Sequence, residues 1–350
     1  MAERRPIQVG VNVNNREPLI APEAYGLPDL LDMAERTEEH GFDSVWVGDS
    51  LFSKPRWEAI VLLSAISQRT TKVRLGTSCL VTSTRNPLYL ALEWATLDAI
   101  SGGRTILGAC PGSPEVGVER EFAAVGLDYR QRTSIFEEGL EVLKQLWTSG
   151  SVTLHGKHFS YDDISFYSGT EKRPLAPLQS PPPIWVTSNP RLVDDTSDEA
   201  AVKAMQAACR RILRYGQGWL TCCRALHPEE LIEQLGYISD LAEADGNDAT
   251  ALDVAYQVTL TLGDSEEGAR RSQASYLSMY YPEMSKKTQT ANWGPVGTPD
   301  QVIAWFRTFA DAGVDHFICR FGSLDQPGQL QMFATEVLPA IRAHVPAKKG

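Results

Sequence analysis

The chain has 350 residues, with 33 Lys and Arg against 44 Asp and Glu, which gives a formal net charge of −11. This acidic balance, without a cluster of basic residues, excludes a protein that neutralises a nucleic-acid backbone. No apolar run approaches the ~18 residues of a membrane span, and the first residues lack the apolar core of a secretory signal. We therefore expect a cytoplasmic protein that acts on a small molecule, with neither nucleic acid nor membrane as its partner.

The first half of the sequence alternates short apolar runs with helical patterns. Four strands are predicted at residues 7–13, 44–49, 73–80 and 105–110, and helices between them at 27–40, 57–68 and 87–100. Strands that are apolar along their whole length are buried on both faces, as in a parallel sheet covered by helices.

The second half repeats the pattern more loosely. Strands are predicted at 184–188, 218–222, 252–262 and 316–321, and helices at 133–147, 199–215, 228–244, 299–312 and 329–343. Eight strand–helix units fit an α/β fold of one domain, a (β/α)8 TIM barrel over residues 1–350. A doubly wound open sheet is the alternative, but it would carry a glycine-rich phosphate turn after the first strand, which is absent.

Three segments are longer than a barrel requires, at about residues 112–132, 155–183 and 264–297. We expect them to be insertion loops at the C-terminal face, where lids and binding segments lie in this fold. Within the second, His155 and His158 have the only metal-like spacing in the chain. No Cys or second His pair completes a tetrahedral site, so no metal site is predicted.

At this point the sequence resembles the bacterial luciferase-like flavin oxidoreductases. The resemblance rests on Gly41-Phe-Asp-Ser-Val-Trp-Val-Gly-Asp49, on Arg74-Leu-Gly-Thr-Ser-Cys-Leu80 and on residues 85–88, 95–104, 106–112, 182–186, 214–219 and 297–300. It implies the same barrel, with either reduced FMN, delivered by a separate flavin reductase, or the deazaflavin F420 across the carboxyl ends of the strands. It also implies a homodimer, for which the helices at 57–68 and 87–100 are candidates.

The resemblance further implies where the cofactor binds. In the family, strand three often contains a non-prolyl cis peptide behind the cofactor ring, and the matching bond here is Ser78–Cys79; the alternative is two small residues in a packed strand. Other candidate cofactor-binding residues lie at strand ends or in the glycine-rich loop after strand four, where the backbone can approach a ligand closely. They are Asn12, Cys110, Gly112, Thr187, Ser188 and Asn189.

Candidate catalytic residues are Asp49, Glu115 and His227. Asp49 ends strand two, Glu115 is a general acid or base only if it is partly buried, and His227 equally suits a helix start. Arg85 and Arg320 are candidates for binding an acidic group of the substrate, because a buried arginine requires an anionic partner. Arg320 alternatively pairs with Asp49 or faces the helix layer.

Three functions are compatible with these residues. The first is a two-component monooxygenase that uses reduced FMN to insert one oxygen atom of O2 into an organic substrate. The alternative is hydride transfer with F420, and a further alternative is a non-catalytic binding subunit. Family members that oxidise substrates with F420 commonly have a histidine after the aspartate of strand two, where this chain has Ser50. This departure disfavours a dehydrogenase of that kind and favours the first function, but it does not exclude an F420 reductase. The glycines Gly76, Gly108 and Gly112 argue against the third.

Overall fold

Eight parallel strands form a closed barrel. The computed structural model describes residues 6–113, 117–172, 175–190, 192–193, 197–221, 227–282 and 293–346. The barrel strands are β1 (Gln8–Asn12), β2 (Ser44–Val47), β3 (Arg74–Thr77), β4 (Thr105–Cys110), β5 (Ile184–Thr187), β6 (Gly218–Thr221), β7 (Asp253–Leu262) and β8 (His316–Phe321). Each strand pairs with the next in parallel, and β8 pairs with β1, so the ring has no free edge. The predicted (β/α)8 barrel is confirmed.

The helices that cover the barrel follow the strands in order. They are α1 (Leu27–Glu39), α2 (Ala59–Ser67), α3 (Pro87–Ser101), α4 (Arg132–Thr148), α5 (Glu199–Tyr215), α6 (Pro228–Ala244), α7 (Pro299–Asp311) and α8 (Gln326–Met332), which continues through a π-helical turn (Phe333–Val337) into Leu338–Arg342. Local chemistry sets their first residues. The Asn86 side chain accepts a hydrogen bond from Leu88 N at 2.9 Å before α3, and Asp198 accepts one from Ala201 N at 3.0 Å before α5. Among the described residues, no helix has the length and apolar character that crossing a bilayer requires.

Strand three differs from its prediction. A continuous strand was expected over 73–80, but β3 ends at Thr77 and a separate two-residue strand, Leu80–Val81, pairs with β4. The peptide bond between Ser78 and Cys79, which separates the two pieces, is cis. The break places Ser78 and Cys79 at the carboxyl end of the barrel rather than within a regular ladder.

Aromatic side chains fill the interior of the barrel. Trp46 of β2 stacks on Trp185 of β5, with ring centroids 5.2 Å apart, and the His316 ring meets both at their edges. Gly76 makes room for this stack, because a Cβ there would lie 2.2 Å from the Trp46 ring. His316 is the first residue of β8, so this layer lies towards the amino ends of the strands and leaves the opposite mouth to a ligand.

The insertions contain regular structure. The first has a short helix, Val118–Ala124. The second opens with an antiparallel hairpin of Ser151–His155 and Ser160–Ser165, whose two short strands the sequence around Gly156 predicts. The third was expected to be a loop. Its first half is instead a helix (Glu266–Tyr280, hereafter the insertion helix), whose buried face consists of Ala269, Gln273, Tyr276, Leu277 and Tyr280.

Candidate active site

A large cavity opens at the carboxyl ends of the strands. The space between its walls is about 1120 Å³ when the open solvent at its mouth is counted. The wall is built from the ends of six strands, β7, β8 and β1 to β4, and from the insertions. The residues that line it include Asn12, Asp49, Ser50, Lys54, Arg56, Ser78, Cys79, Cys110, Ser113, Glu121, Thr259, Tyr280, Tyr281, Trp293 and Arg320.

The ends of β1 and β3 meet in the floor of this cavity. Asn12 Nδ2 donates a hydrogen bond to Ser78 Oγ at 2.7 Å, and Ser78 N donates to Val47 O at 2.8 Å. Gly108 of β4 allows the neighbouring strand to approach, since a Cβ there would lie 1.9 Å from the Thr77 carbonyl oxygen. The predicted cofactor-binding residues Asn12, Ser78 and Cys79 are thus held together by the close packing of three strand ends.

Two free cysteines lie side by side in the same wall. Cys79 and Cys110 both line the cavity, and their thiols form a hydrogen bond. This contact with Cys110 lowers the pKa of the Cys79 thiol, and the same contact, together with burial, raises the pKa of Cys110 well above its usual value. Ionisation of one thiol therefore opposes ionisation of the other.

Asp49 ties the end of β2 to the segment after β3. Its two carboxylate oxygens accept hydrogen bonds from Val81 N and from an Arg85 Nη, both at 3.0 Å. Burial raises the pKa of Asp49 and outweighs the opposing effect of Arg85. Arg85 also contacts Glu58 at 3.1 Å, so its charge is compensated by two carboxylates, and it is not among the residues that line the cavity. Asp49 pairs with Arg85 and not with Arg320.

Glu121 is a cavity residue that the sequence did not indicate. One of its carboxylate oxygens accepts hydrogen bonds from Ser50 Oγ at 2.8 Å, Phe52 N at 2.8 Å and Ser53 N at 2.6 Å. Burial would raise the pKa of Glu121, but these donors outweigh it and lower the pKa. Ser50 is therefore bound to an ionised carboxylate in the cavity wall.

Arg320 reaches the cavity from β8. It is 8% exposed, and its guanidinium donates to Thr259 Oγ1 at 2.6 and 2.9 Å and to the Tyr281 hydroxyl at 2.9 Å. The guanidinium carbon lies 5.0 Å from the centre of the Tyr280 ring and 5.6 Å from those of Tyr281 and Trp293. Of the three positions considered for Arg320, the structure shows the one that faces the ligand space.

The remaining candidates lie elsewhere. At the end of β5, the Thr187 hydroxyl is buried beside the Cys79 thiol, Ser188 O accepts from Trp219 Nε1 at 2.6 Å, and Asn189 Oδ1 accepts from Thr221 Oγ1 at 3.1 Å. Gly112, next to the lining residue Ser113, has a φ of 92°. The candidate acid Glu115 lies outside the described residues. His227 is exposed and immediately precedes α6. This is the helix start that the sequence offered as the alternative to a catalytic role.

The whole-chain comparisons agree with this architecture. The family model described as luciferase-like monooxygenase matches residues 7–316. The chain belongs to the luciferase-like monooxygenase family. As a member of this family, the chain is an oxidoreductase. The resemblance seen in the sequence is confirmed.

Individual relatives are more distant. An F420-dependent glucose-6-phosphate dehydrogenase from Amycolatopsis mediterranei (strain U-32) is 26% identical over 335 residues, which cover 92% of this chain and 96% of the relative. Among solved structures, the monooxygenase RslO1 from Streptomyces bottropensis has a TM-score of 0.75 at 20% identity, over 95% of this chain and 99% of that one. An F420-dependent secondary alcohol dehydrogenase, in complex with an F420–acetone adduct, has a TM-score of 0.73 at 22% identity, over 96% of this chain and 99% of that one. These structures share the fold.

Proposed function

We propose that this luciferase-like protein is an F420-dependent oxidoreductase that transfers a hydride between the deazaflavin and an organic substrate. The observation that carries the proposal is the similarity, over 92% of the chain, to a curated relative that is named for its dependence on F420. A second such relative, from Kineococcus radiotolerans, is 27% identical over 347 residues. The interpretation as an FMN monooxygenase served by a flavin reductase is unconfirmed.

Two groups of residues would hold the two ends of such a cofactor, one in the cavity and one at the end of β5. F420, when bound, supplies a ring carbon that accepts or donates a hydride. Ser78, Cys79 and Asn12 would lie against the ring, and their small side chains leave space for a flat ligand. The Thr187 hydroxyl, with Ser188 and Asn189 at the end of β5, would bind the phosphate, because hydroxyl and N–H groups donate hydrogen bonds to phosphate oxygens.

Ser50 separates this protein from the dehydrogenases that it resembles. A histidine at that position titrates near neutral pH and can accept a proton from an alcohol, whereas a serine hydroxyl cannot. The Ser50 hydroxyl is also engaged by Glu121 at 2.8 Å. We therefore propose that the substrate is not an alcohol oxidised with the help of this residue, and that the reaction runs from reduced F420 to the substrate.

The test is an anaerobic titration of the purified protein with F420 and, separately, with FMN. We expect a micromolar Kd for F420 and a Kd for FMN that is about tenfold weaker or more. Tighter binding of reduced FMN would instead support the two-component monooxygenase, and no binding of either would support a non-catalytic subunit. Cys79→Phe fills the proposed ring site and should abolish F420 binding. Cys79→Ala is the matched control, since it removes the thiol without adding bulk and should retain binding.

We also propose that the protein forms a homodimer through α2 and α3. Their outer surfaces expose large apolar side chains, with Val61 71% and Tyr89 69% exposed. The adjacent loop exposes Leu51 and Phe52, at 55% and 41%. Exposed large apolar side chains are typical of an association surface.

A further inference from the structure

Three arginines converge on one side of the cavity mouth. Arg16 and Arg320 each place the guanidinium carbon 5.0 Å from the centre of the Tyr280 ring, and Arg56 donates to the hydroxyl of the same tyrosine at 3.1 Å. Arg56 and Arg320 line the cavity. A Cβ on residue 48 would lie 2.5 Å from an Arg56 Nη. The Arg56 guanidinium can occupy this part of the wall because residue 48 is glycine. We call Arg56 and Arg320 the arginine pair.

Within the part of the chain that the structure describes, the arginine pair lacks a carboxylate partner. Among the described residues, no carboxylate oxygen lies within ion-pair distance of Arg16, Arg56 or Arg320. Buried guanidinium nitrogens are also unsatisfied, since Arg56 Nε and two nitrogens of Arg16 have no hydrogen-bond acceptor there. This concentration of positive charge is unexpected in a chain whose net charge is −11.

The nearby acids do not neutralise this charge. Asp49 is bound to Arg85, and Glu121 is bound to Ser50 and to two backbone N–H groups. Glu17 is the remaining buried acid close by; its carboxylate accepts from the Tyr276 hydroxyl at 2.9 Å and from Gln326 Nε2 at 3.0 Å. Burial raises the pKa of Glu17 to about 8, so it is mainly protonated at neutral pH. A buried guanidinium stays charged and is costly without an anion beside it.

We propose that the arginine pair binds an acidic group, a carboxylate or a phosphate, of the organic substrate. The inference rests on the proposed function and names its substrate class. The order of the strands distinguishes the substrate from the cofactor as the source of the anion. The arginine pair lies beside β8 and β2, which flank β1, whereas Thr187 ends β5 on the opposite side of the ring. With the ring against Cys79 on β3, the cofactor phosphate would lie near β5 and the acidic group of the substrate near β8.

The chemistry of the arginine pair suits such a group. A guanidinium presents parallel N–H donors that match the two oxygens of a carboxylate or phosphate. Thr259 accepts from Nε and one Nη of Arg320, and Tyr281 accepts from the other Nη, so the plane of the guanidinium is held. The Tyr281 and Trp293 rings pack beside it. The acidic group would fix the substrate in one orientation, so that its reacting carbon lies over the ring.

The test uses inorganic phosphate and acetate as probes on the F420-loaded protein, with binding measured by titration calorimetry and by the shift in Tm. We expect at least one of the two anions to bind and to raise the Tm. Arg320→Gln should weaken that binding about tenfold or more while the Kd for F420 stays within about twofold. Arg56→Gln is a second variant, which keeps the test decisive if Arg320→Gln does not fold. Arg69→Met removes an exposed arginine paired with Asp32 and Glu35, and as the matched control it should change neither affinity.

Other outcomes separate the possible errors. If neither anion binds the wild-type F420 complex, the anion site is wrong although the F420 assignment stands. Arg320→Gln could weaken the binding of F420 without weakening the binding of the deazaflavin chromophore that lacks the tail. In that case the arginine pair binds the acidic tail of the cofactor, and the substrate proposal is overturned. If the wild-type protein binds no F420 at all, the proposed function itself has failed.

Discussion

Replacing Arg85 with methionine tests the role of Asp49 most sharply. The Asp49 side chain is 10% exposed and that of Arg85 24% exposed, and they meet at 3.0 Å. Removing one partner of a buried pair costs about 3–5 kcal/mol, and because Arg85 is partly solvated we expect a loss of about 3 kcal/mol for Arg85→Met. Glu58 contributes little to this loss, because it is 42% exposed.

The assay is urea unfolding of the cofactor-free protein, in a cycle with Asp49→Asn and the double variant. Asparagine can still accept the hydrogen bond from Val81 N but needs no cation, so the double variant should recover about 1–2 kcal/mol relative to additivity. In Arg85→Met the pKa of Asp49 should rise further. The unfolded state then loses the Asp49 proton at lower pH than the native state does, so the destabilisation should be smaller at pH 5 than at pH 8. Additive losses within about 0.5 kcal/mol would refute the pairing argument.

Three further predictions concern the barrel and its surface. Burial, reinforced by Arg74, lowers the pKa of His316 to about 3, so the unfolded state binds a proton below pH 6.5 that the native state does not. The free energy of unfolding should fall by about 2 kcal/mol between pH 7 and pH 5, and His316→Gln should remove that fall. If urea unfolding shows the same fall in the wild type and in the variant, the prediction is wrong. Gly76→Ala should cost about 1–3 kcal/mol through overlap with Trp46, whereas Gly139→Ala, with nothing within 4 Å, should cost nothing in the same assay. Light scattering should show a dimer that Val61→Asp converts to a monomer, and a monomeric wild type would exclude the proposed interface.

Sequence periodicity predicted the scaffold because the barrel is built from local patterns. Helices α5 and α6 begin and end at the predicted residues, since each has an amphipathic run bounded by an N-terminal Asp or Pro. The insertion helix was missed because its exposed face is polar. The spacing of Tyr276 and Tyr280, four residues apart, was the signal of its buried face.

The contacts within the site could not be read in the same way. Glu121 meets Ser50 across 71 positions, and Arg320 meets Tyr281 across 39. Such pairs leave no periodic trace in a single sequence. The expectation that Arg320 requires a partner was sound chemistry. That its partners are a threonine and a tyrosine in the cavity wall depends on how three separate segments meet.

The central claim is that the open mouth of the barrel holds a deazaflavin ring against the carboxyl end of β3. A crystal structure of the protein with F420 bound tests it directly. We predict that the ring contacts Ser78 and Cys79, that the phosphate lies beside the Thr187 hydroxyl, and that the arginine pair remains open to a second ligand. A ring bound away from Cys79, or a cofactor phosphate seated on Arg320, would contradict the account.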